Sequence, residues 1–249
     1  MKPFFSILLS IIVLSGCSSY KVVSVKATHI PVDEKADAIQ SDAMNRLLEP
    51  YRVQVDSIGK QVIGYTDQDL TPGHPESLLY NFFADVMLQY ARQHSAKQVD
   101  MAVTNPGGLR KPVPKGTITY STIVELTPFD NDLVVLDLKG ADVKALADSI
   151  ANHRGGPVAG IRFGINNRKA YNIEIQGKPL ELDRMYRVAA NDYIAKGNDH
   201  FAALTKAVGK AEVFETQLQE IIMDYIRQQT AEGKIIHITL DGRLYYEDK

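Results

Sequence analysis

The most regular apolar pattern in the chain falls at Leu78, Leu79, Phe82, Phe83, Val86, Met87 and Tyr90. Adjacent pairs repeating every four residues make a wide apolar helical face, which must be buried. This helix is predicted to open at Pro75 and Glu76, with Asn81 and Asp85 on the border of its apolar face. Upstream, Ala36, Ile39, Met44, Leu47 and Leu48 follow Asp33-Glu34-Lys35 at helical spacing, and Pro50 closes that pattern. Residues 52–57 and 61–66 read as strands separated by Ile58-Gly59.

Downstream, residues 101–104 read as a short central strand and 119–126 as a helix, because Tyr120, Ile123 and Val124 repeat at three to four. A strand is predicted over 133–138, then an amphipathic helix over 141–151 after a break at Gly140. Residues 162–165, 171–175 and 186–190 read as strands, with a turn at Gln176-Gly177-Lys178-Pro179. Leu218, Ile221, Ile222 and Tyr225 mark a helix over 216–229, followed by a closing strand over 234–240 and a turn at Asp241-Gly242. Strands and helices interleave without a regular β-α-β beat. The expectation is an α/β (α+β) fold, a mixed-sheet α-β sandwich forming a single domain over residues 32–249.

Residues 1–16 read as a segment outside that fold. Lys2 precedes an apolar run over residues 4–14 that is too short for a permanent membrane span, so a secretory signal is expected. The run ends in Leu14-Ser15-Gly16-Cys17, which resembles the bacterial lipobox, whose cysteine is acylated and becomes the new N-terminus. The plainer alternative is an ordinary signal peptide that contains a cysteine. Acyl chains contribute about 0.8 kcal/mol per buried CH₂, enough together to hold a protein on a membrane. Ser18 after the cysteine favours the outer membrane in diderm bacteria, so the expected location is the cell envelope, periplasmic or surface-facing. Residues 17–31 read as a tether, or as an edge strand over 20–28.

Composition narrows the chemistry. Of 249 residues, 45% are hydrophobic and 23% charged, with a net charge of −2, so no basic face for nucleic acid is expected. Cys17 is the single cysteine, which excludes an internal disulfide and a multi-cysteine metal site. His29, His74, His94, His153, His200 and His237 stand apart without ligand spacing. His94 and His153 are expected to end helices, where a cation is favoured, and His200 to stand near a ligand.

Three loops carry the candidate site. Asn105-Pro106-Gly107-Gly108-Leu109-Arg110 follows a strand; its glycines permit positive φ and close approach of a ligand, and Arg110 offers a planar donor fork. A plain turn with a solvated arginine is the competing reading. Phe129 follows Pro128 in a polar loop, as an exposed stacking platform or folded back onto the core. The third stretch runs from Val188 through Asn191, Asp192, Tyr193, Gly197, Asn198, Asp199 and His200 to Phe201. It repeats the sequence strand, turn, polar loop, aromatic.

The order N-x-G-G-[IL]-R, I-T-Y, P-F, L-V-V-L-x-L-x-G-A and Y-x-V-A-x-N-D-[FY]-x-A-x-G-x-D resembles the C-terminal domain of bacterial and animal 5′-nucleotidases. The helix E-S-L-L-Y-N-F-F-A-D-V-M is similar to that family's E-x-x-x-G-N-L-x-x-D-A-M. The resemblance implies a nucleotide- or nucleoside-binding domain. Its base would stack between Phe129 and Phe201, Asn105 would read it, and Arg110 would meet the phosphate side, with Gly107, Gly108 and Asp199 completing the loops. In the family a separate N-terminal metallophosphatase domain carries two metals.

Several positions depart from the family pattern. The position of a phosphate-side arginine of the family falls at or near Pro75, so that contact is expected to be lost; G-G-D-G becomes Gly197-Asn198-Asp199-His200, and P-F-G becomes Pro128-Phe129-Asp130. The family's ribose-holding acid has no counterpart over residues 204–208. No metallophosphatase motif of the D-x-H, G-D, G-N-H-[DE] kind occurs, so neither catalytic nor metal-binding residues are expected in this chain. Divalent metals are expected instead in a separate metallophosphatase chain acting as partner. The alternative is a non-catalytic envelope lipoprotein that binds nucleosides or other aromatic solutes; a structural or unrelated interaction role is a third reading.

Overall fold

The structure, a computed structural model, describes residues 21–29 and 41–247. The expected signal segment, Cys17 and the helical pattern over 32–40 lie outside those residues. The chain divides into two compact units, residues 1–49 and 50–249. Residues 21–29 are exposed and take no regular secondary structure, so the edge strand foreseen over 20–28 does not form there. A helix, α1 (Asp42–Gly59), runs through Pro50. No helix among the described residues is long and apolar enough to cross a membrane.

Residues beyond α1 alternate strands with helices. They run β1 (Val62–Thr66), α2 (Leu78–His94), β2 (Met101–Val103), β3 (Gly116–Thr119), α3 (Tyr120–Leu126), β4 (Asp132–Lys139) and α4 (Gly140–Asn152). Next come β5 (Val158–Ala159), β6 (Ile161–Asn166), β7 (Lys169–Ile175), β8 (Lys178–Pro179), β9 (Met185–Asn191) and α5 (Asp192–Ala195). The last elements are β10 (Glu212–Gln217), α6 (Leu218–Ala231) and β11 (Leu244–Tyr246). β1 and β3 form an antiparallel pair. A five-stranded sheet has the order β10-β4-β9-β2-β5 and a four-stranded sheet the order β11-β6-β7-β8. β2–β9 and β11–β6 are parallel and the remaining pairs antiparallel, so the expected mixed-sheet α/β architecture is present.

Alternation along the central strands builds two apolar layers. Ala102, Leu133, Val135 and Ala189 face one layer with Phe82 and Phe83 of α2, Ile123 of α3 and Ile221 and Ile222 of α6. Met101, Val103, Val134, Leu136, Val188 and Ala190 face the other, with Leu146 and Ile150 of α4 and Phe163 and Ile165 of β6. A sheet covered on both faces reads as a nearly continuous hydrophobic run, as β4 and β9 do. Small Ala102 and Ala189 stand on the side that receives the two phenylalanine rings of α2. Gly140 lets the start of α4 meet the β8–β9 connection, since a Cβ there would lie 1.9 Å from the Glu181 carbonyl oxygen.

Sheet polarity sets where function gathers. β2 and β9 are parallel, so their C-terminal ends lie together. β4 is antiparallel to β9, with Leu133 opposite Asn191, so its N-terminal end joins them. The segments after Val103, before Asp132 and after Asn191 therefore share one edge of the sheet.

Local boundaries differ from the sequence reading in several places. Residues 52–57 are helical, because the spacing of Met44, Leu48, Tyr51, Val55 and Ile58 outweighs the short alternation of Val53 and Val55. α2 begins at Leu78, where the Ser77 hydroxyl accepts from Tyr80 N, rather than at Pro75. β3 was not foreseen. β10 also was not, and it occupies the first residues assigned to the last helix. The closing strand over 234–240 reduces to a bridge at Ile236, and the last strand is β11. In the stretch over 234–240, Ile236 N donates to Tyr65 O of β1 and Ile238 N to Gln68 Oε1, and just beyond it Asp241 N and Gly242 N donate to the Glu76 carboxylate.

Gly140→Ala is expected to lower the free energy of unfolding by about 1–3 kcal/mol, the usual cost of overpacking. Urea titration would measure it, with exposed Lys178→Ala as a control that stays within about 0.5 kcal/mol of the parent.

Candidate functional site

β2 ends at Val103 and delivers Thr104 and Asn105, both buried, to the shared edge. Pro106–Gly108 then form one turn of 3₁₀ helix, closed by Leu109 N donating to Pro106 O at 3.0 Å. Neither Gly107 nor Gly108 takes positive φ, contrary to one reason the sequence offered for them. Space is tight at Gly108, whereas a Cβ on the exposed Gly107 would make an ordinary contact. A Cβ on Gly108 would lie 3.2 Å from Asn105 Oδ1, and one on Gly107 3.4 Å from Asp199 Oδ2. Arg110 N donates to Leu126 O at 2.7 Å, tying this loop to the end of α3, while its exposed side chain donates to Gly107 O at 3.3 Å.

β9 ends at Asn191, whose side chain caps α5 by accepting from Ile194 N at 2.8 Å. The Asn191 amide donates to Thr104 Oγ1 at 2.9 Å and to Asn105 Oδ1 at 3.0 Å. Asn105 Nδ2 in turn donates to Asp199 Oδ2 at 2.6 Å, and the Tyr193 hydroxyl donates to Asp199 Oδ1 at 3.2 Å. Both oxygens of the Asp199 carboxylate are thus engaged. The hydrogen bond to Asp199 holds the Tyr193 phenol above the usual tyrosine range, with desolvation and the Asp199 charge adding to the shift.

The third loop is fixed from α6. Leu218 N donates to Asn131 O and Gln219 Nε2 donates to Thr127 O, both at 2.9 Å, so the Phe129 loop is held at each end. Phe129 stays 43% exposed and does not fold back onto the core. Asp130 is exposed and outside the cavity lining.

A cavity of about 310 Å³ is lined by Asn105, Gly107, Gly108, Arg110, Phe129 and Asp199, together with Asn131 and Tyr193. That volume is at the small end of the range for ligand pockets. Of the residues expected at the site, Phe201 is not brought to this cavity. It is 7% exposed and packs with Ile194 and Leu204, because it leads into the 3₁₀ turn Ala202–Lys206 whose Leu204 is also buried. Phe201 lines a second cavity of about 240 Å³, with Ile150, His153, Pro157 and His200 among its other walls. The aromatic that shares the first cavity with Phe129 is Tyr193, 40% exposed.

Two residues at the cavity were missed. Tyr193 stands inside the N-D-[FY] motif six residues before Asp199, and Asn131 lies two residues past Phe129. Local sequence signalled both, and only the direction of Phe201 hid the first. Asn105 is 4% exposed with its amide engaged, whereas the Asn131 amide has no hydrogen-bond partner among the described residues. The carboxylate at this cavity comes from Asp199, ahead of Phe201, rather than from residues 204–208. Pro75 is outside the lining and its carbonyl accepts from Gly156 N at 3.2 Å. Arg110 is the cationic side chain in the lining. His94 ends α2 and His153 caps α4, as expected. Among the described residues no group of three or more His, Cys, Asp or Glu side chains is arranged to hold a metal ion.

Comparison with known proteins identifies the family of the chain. Residues 62–206 match the family "5'-nucleotidase, C-terminal domain". The trifunctional nucleotide phosphoesterase protein YfkN of Bacillus subtilis is 29% identical over 220 residues, which cover 77% of this chain and 15% of that protein. A probable 5'-nucleotidase of Treponema pallidum is 28% identical over 213 residues, 74% of this chain and 36% of its own. The crystal structure of a 5'-nucleotidase precursor from Thermus thermophilus superposes with a TM-score of 0.72 at 30% identity, covering 86% of this chain and 45% of that one. The chain therefore spans less than half the length of each of these relatives. The match across β1 to the second 3₁₀ turn, with the same chain folded the same way, establishes that this protein belongs to the 5'-nucleotidase C-terminal domain family.

Proposed function

We propose that this chain is a nucleotide- or nucleoside-recognition module of 5′-nucleotidase type, anchored to a bacterial envelope membrane through acylated Cys17. It acts in nucleotide breakdown beside a separate metallophosphatase chain that supplies the divalent metals and the attacking water. The observation that carries the reading is the convergence of Phe129, Tyr193, Asn131, Asp199 and Arg110 on one cavity. Two aromatic faces suit a purine or pyrimidine, and such stacking is worth about 1–3 kcal/mol per base. The Asn131 amide has donor and acceptor capacity for a base edge. The Asp199 carboxylate accepts hydrogen bonds from hydroxyls, as it already does from Tyr193, which suits a ribose. Arg110 faces the phosphate side with a planar donor fork. A non-catalytic nucleoside-binding lipoprotein is the second reading, favoured by Arg110 standing as the cationic side chain of the lining.

Three outcomes test this reading. Phe129→Ala is expected to weaken adenosine or AMP binding by about 5- to 150-fold, the equivalent of one stacked base, in isothermal titration calorimetry. Unchanged affinity, or no binding by the parent protein at millimolar nucleoside, removes the base-stacking reading.

Purified mature protein is expected to release phosphate from AMP only when a metallophosphatase chain and divalent metal are added. Turnover by the isolated chain in a phosphate-release assay overturns the division of labour.

The raised Tyr193 pKa means that its neutral form is favoured in the fold, so its bond to Asp199 is fully present below the ordinary phenol range. That contribution is lost as pH rises through the elevated value. Asp199→Asn is expected to lower the Tyr193 titration toward the free-tyrosine value of about 10, followed by NMR of ¹³Cζ-labelled tyrosine. A titration identical to the parent's rejects the phenol–carboxylate bond.

A further inference from the structure

Asp199 and His200 both have left-handed backbone conformations, with φ of 51° and 74°. Side chains other than glycine rarely adopt this region, because the Cβ crowds the neighbouring carbonyl. In the family pattern quoted above, glycine stands where this chain has His200. The conformation is kept here with an imidazole in place, so neighbouring groups must offset its cost.

Those groups come from the last turn of α4. The Ser149 hydroxyl donates to the His200 carbonyl oxygen at 2.7 Å. The His200 ring stacks on the His153 ring with centroids 4.1 Å apart and planes 15° from parallel. His153 Nδ1 donates to Ser149 O at 2.8 Å; a carbonyl only accepts, so the proton of this bond sits on Nδ1 and the ring is fixed in orientation. α4 itself is anchored by buried Val143, Leu146, Ala147 and Ile150. The strained pair of residues is therefore clasped from a rigid helix.

We propose that Ser149, His153 and His200 are positioning residues for the base-recognition cavity. None of them lines that cavity; all three line the second one, which shares Asn105, Gly107 and Asp199 with it. They act through Asp199, the next residue in the chain. Holding the Asp199 backbone left-handed keeps its carboxylate on Asn105 Nδ2 and on the Tyr193 hydroxyl, and so keeps the Tyr193 ring at the cavity. When the clasp opens, Asp199 drifts and fewer molecules hold the binding geometry. Apparent affinity then falls by the fraction that remains competent. The inference rests on the base-binding reading for its ligand, but the clasp itself is visible without one.

Two measurements on the mature protein test it. His153→Ala and Ser149→Ala are each expected to weaken adenosine binding about three- to tenfold as the competent fraction drops. His153→Phe keeps a stacking ring and should stay near the parent. Adding His200→Gly to His153→Ala should restore most of the affinity, because glycine takes the left-handed conformation without a clasp. A merely structural loss of α4 packing would not be rescued this way. Independently of ligand, the Asn105 side-chain amide signals in ¹⁵N–¹H spectra should move in His153→Ala and return in the double variant, with the Asn81 amide as an unmoved control. Should His153→Ala fail to fold, Ser149→Ala, which removes one hydrogen bond, carries both measurements. Parent affinity together with unmoved Asn105 signals in these variants overturns the clasp. A parent that binds no adenosine while its Asn105 signals still respond overturns the base-binding reading and leaves the clasp standing.

Discussion

Asn105 is almost fully buried, and its amide ties the ends of the two parallel strands at the site to each other. Its oxygen accepts from Asn191 and its nitrogen donates to Asp199. An amide buried without partners costs about 1–3 kcal/mol, so this side chain holds its neighbours as firmly as they hold it. One side chain thereby joins the end of β2, the end of β9 and the loop beyond α5. Thr104 enlarges the network through Asn191, and Tyr193 completes it through Asp199. Moving any one of these loops would strand a buried polar atom without its partner.

The five-stranded sheet makes that network possible. Two parallel strands place Asn105 and Asn191 side by side, and an antiparallel neighbour starts at the same edge with the Phe129 loop just before it. Both faces of the sheet are covered by apolar layers, which leaves its edge as the place where polar side chains reach solvent. The cavity formed there carries one guanidinium and one carboxylate, Arg110 and Asp199, among its lining groups. Aromatic and neutral polar side chains therefore make up more of this lining than charged ones do.

Much of this was legible along the chain. The face from Leu78 to Tyr90, the runs at β4 and β9 and the order of the three loops each depend on local periodicity or on short motifs. So did Asn105, Gly107, Gly108, Arg110, Phe129 and Asp199. What failed were readings that needed a direction in space. Phe201 and Tyr193 are both aromatic, both follow β9 and both sit near a polar loop. The 3₁₀ turn after Phe201 sends its ring into the core beside Leu204, and the short α5 leaves Tyr193 facing Phe129's cavity. The glycine pair was legible as glycine, but the nearness of Gly107 to Asp199 was not, because those residues are far apart in the chain. Residues 234–240 alternate like a strand, yet only Ile236 bridges β1, while Ile238 N and the turn beyond donate to side chains of Gln68 and Glu76.

The sequence by itself determined the mixed α/β class, the family and most of the residues at the shared sheet edge. These follow from apolar spacing, turn residues and motif order, which are written within short windows of chain. The tertiary structure alone decided which aromatic shares a cavity with Phe129, which asparagine there has no amide partner among the described residues, and that α4 grips the loop carrying Asp199. Each of those depends on groups tens of residues apart, such as Ser149 with His200 and Asn105 with Asp199. Hydrogen bonds and ring contacts at that separation exist only once the sheet has brought its strand ends together.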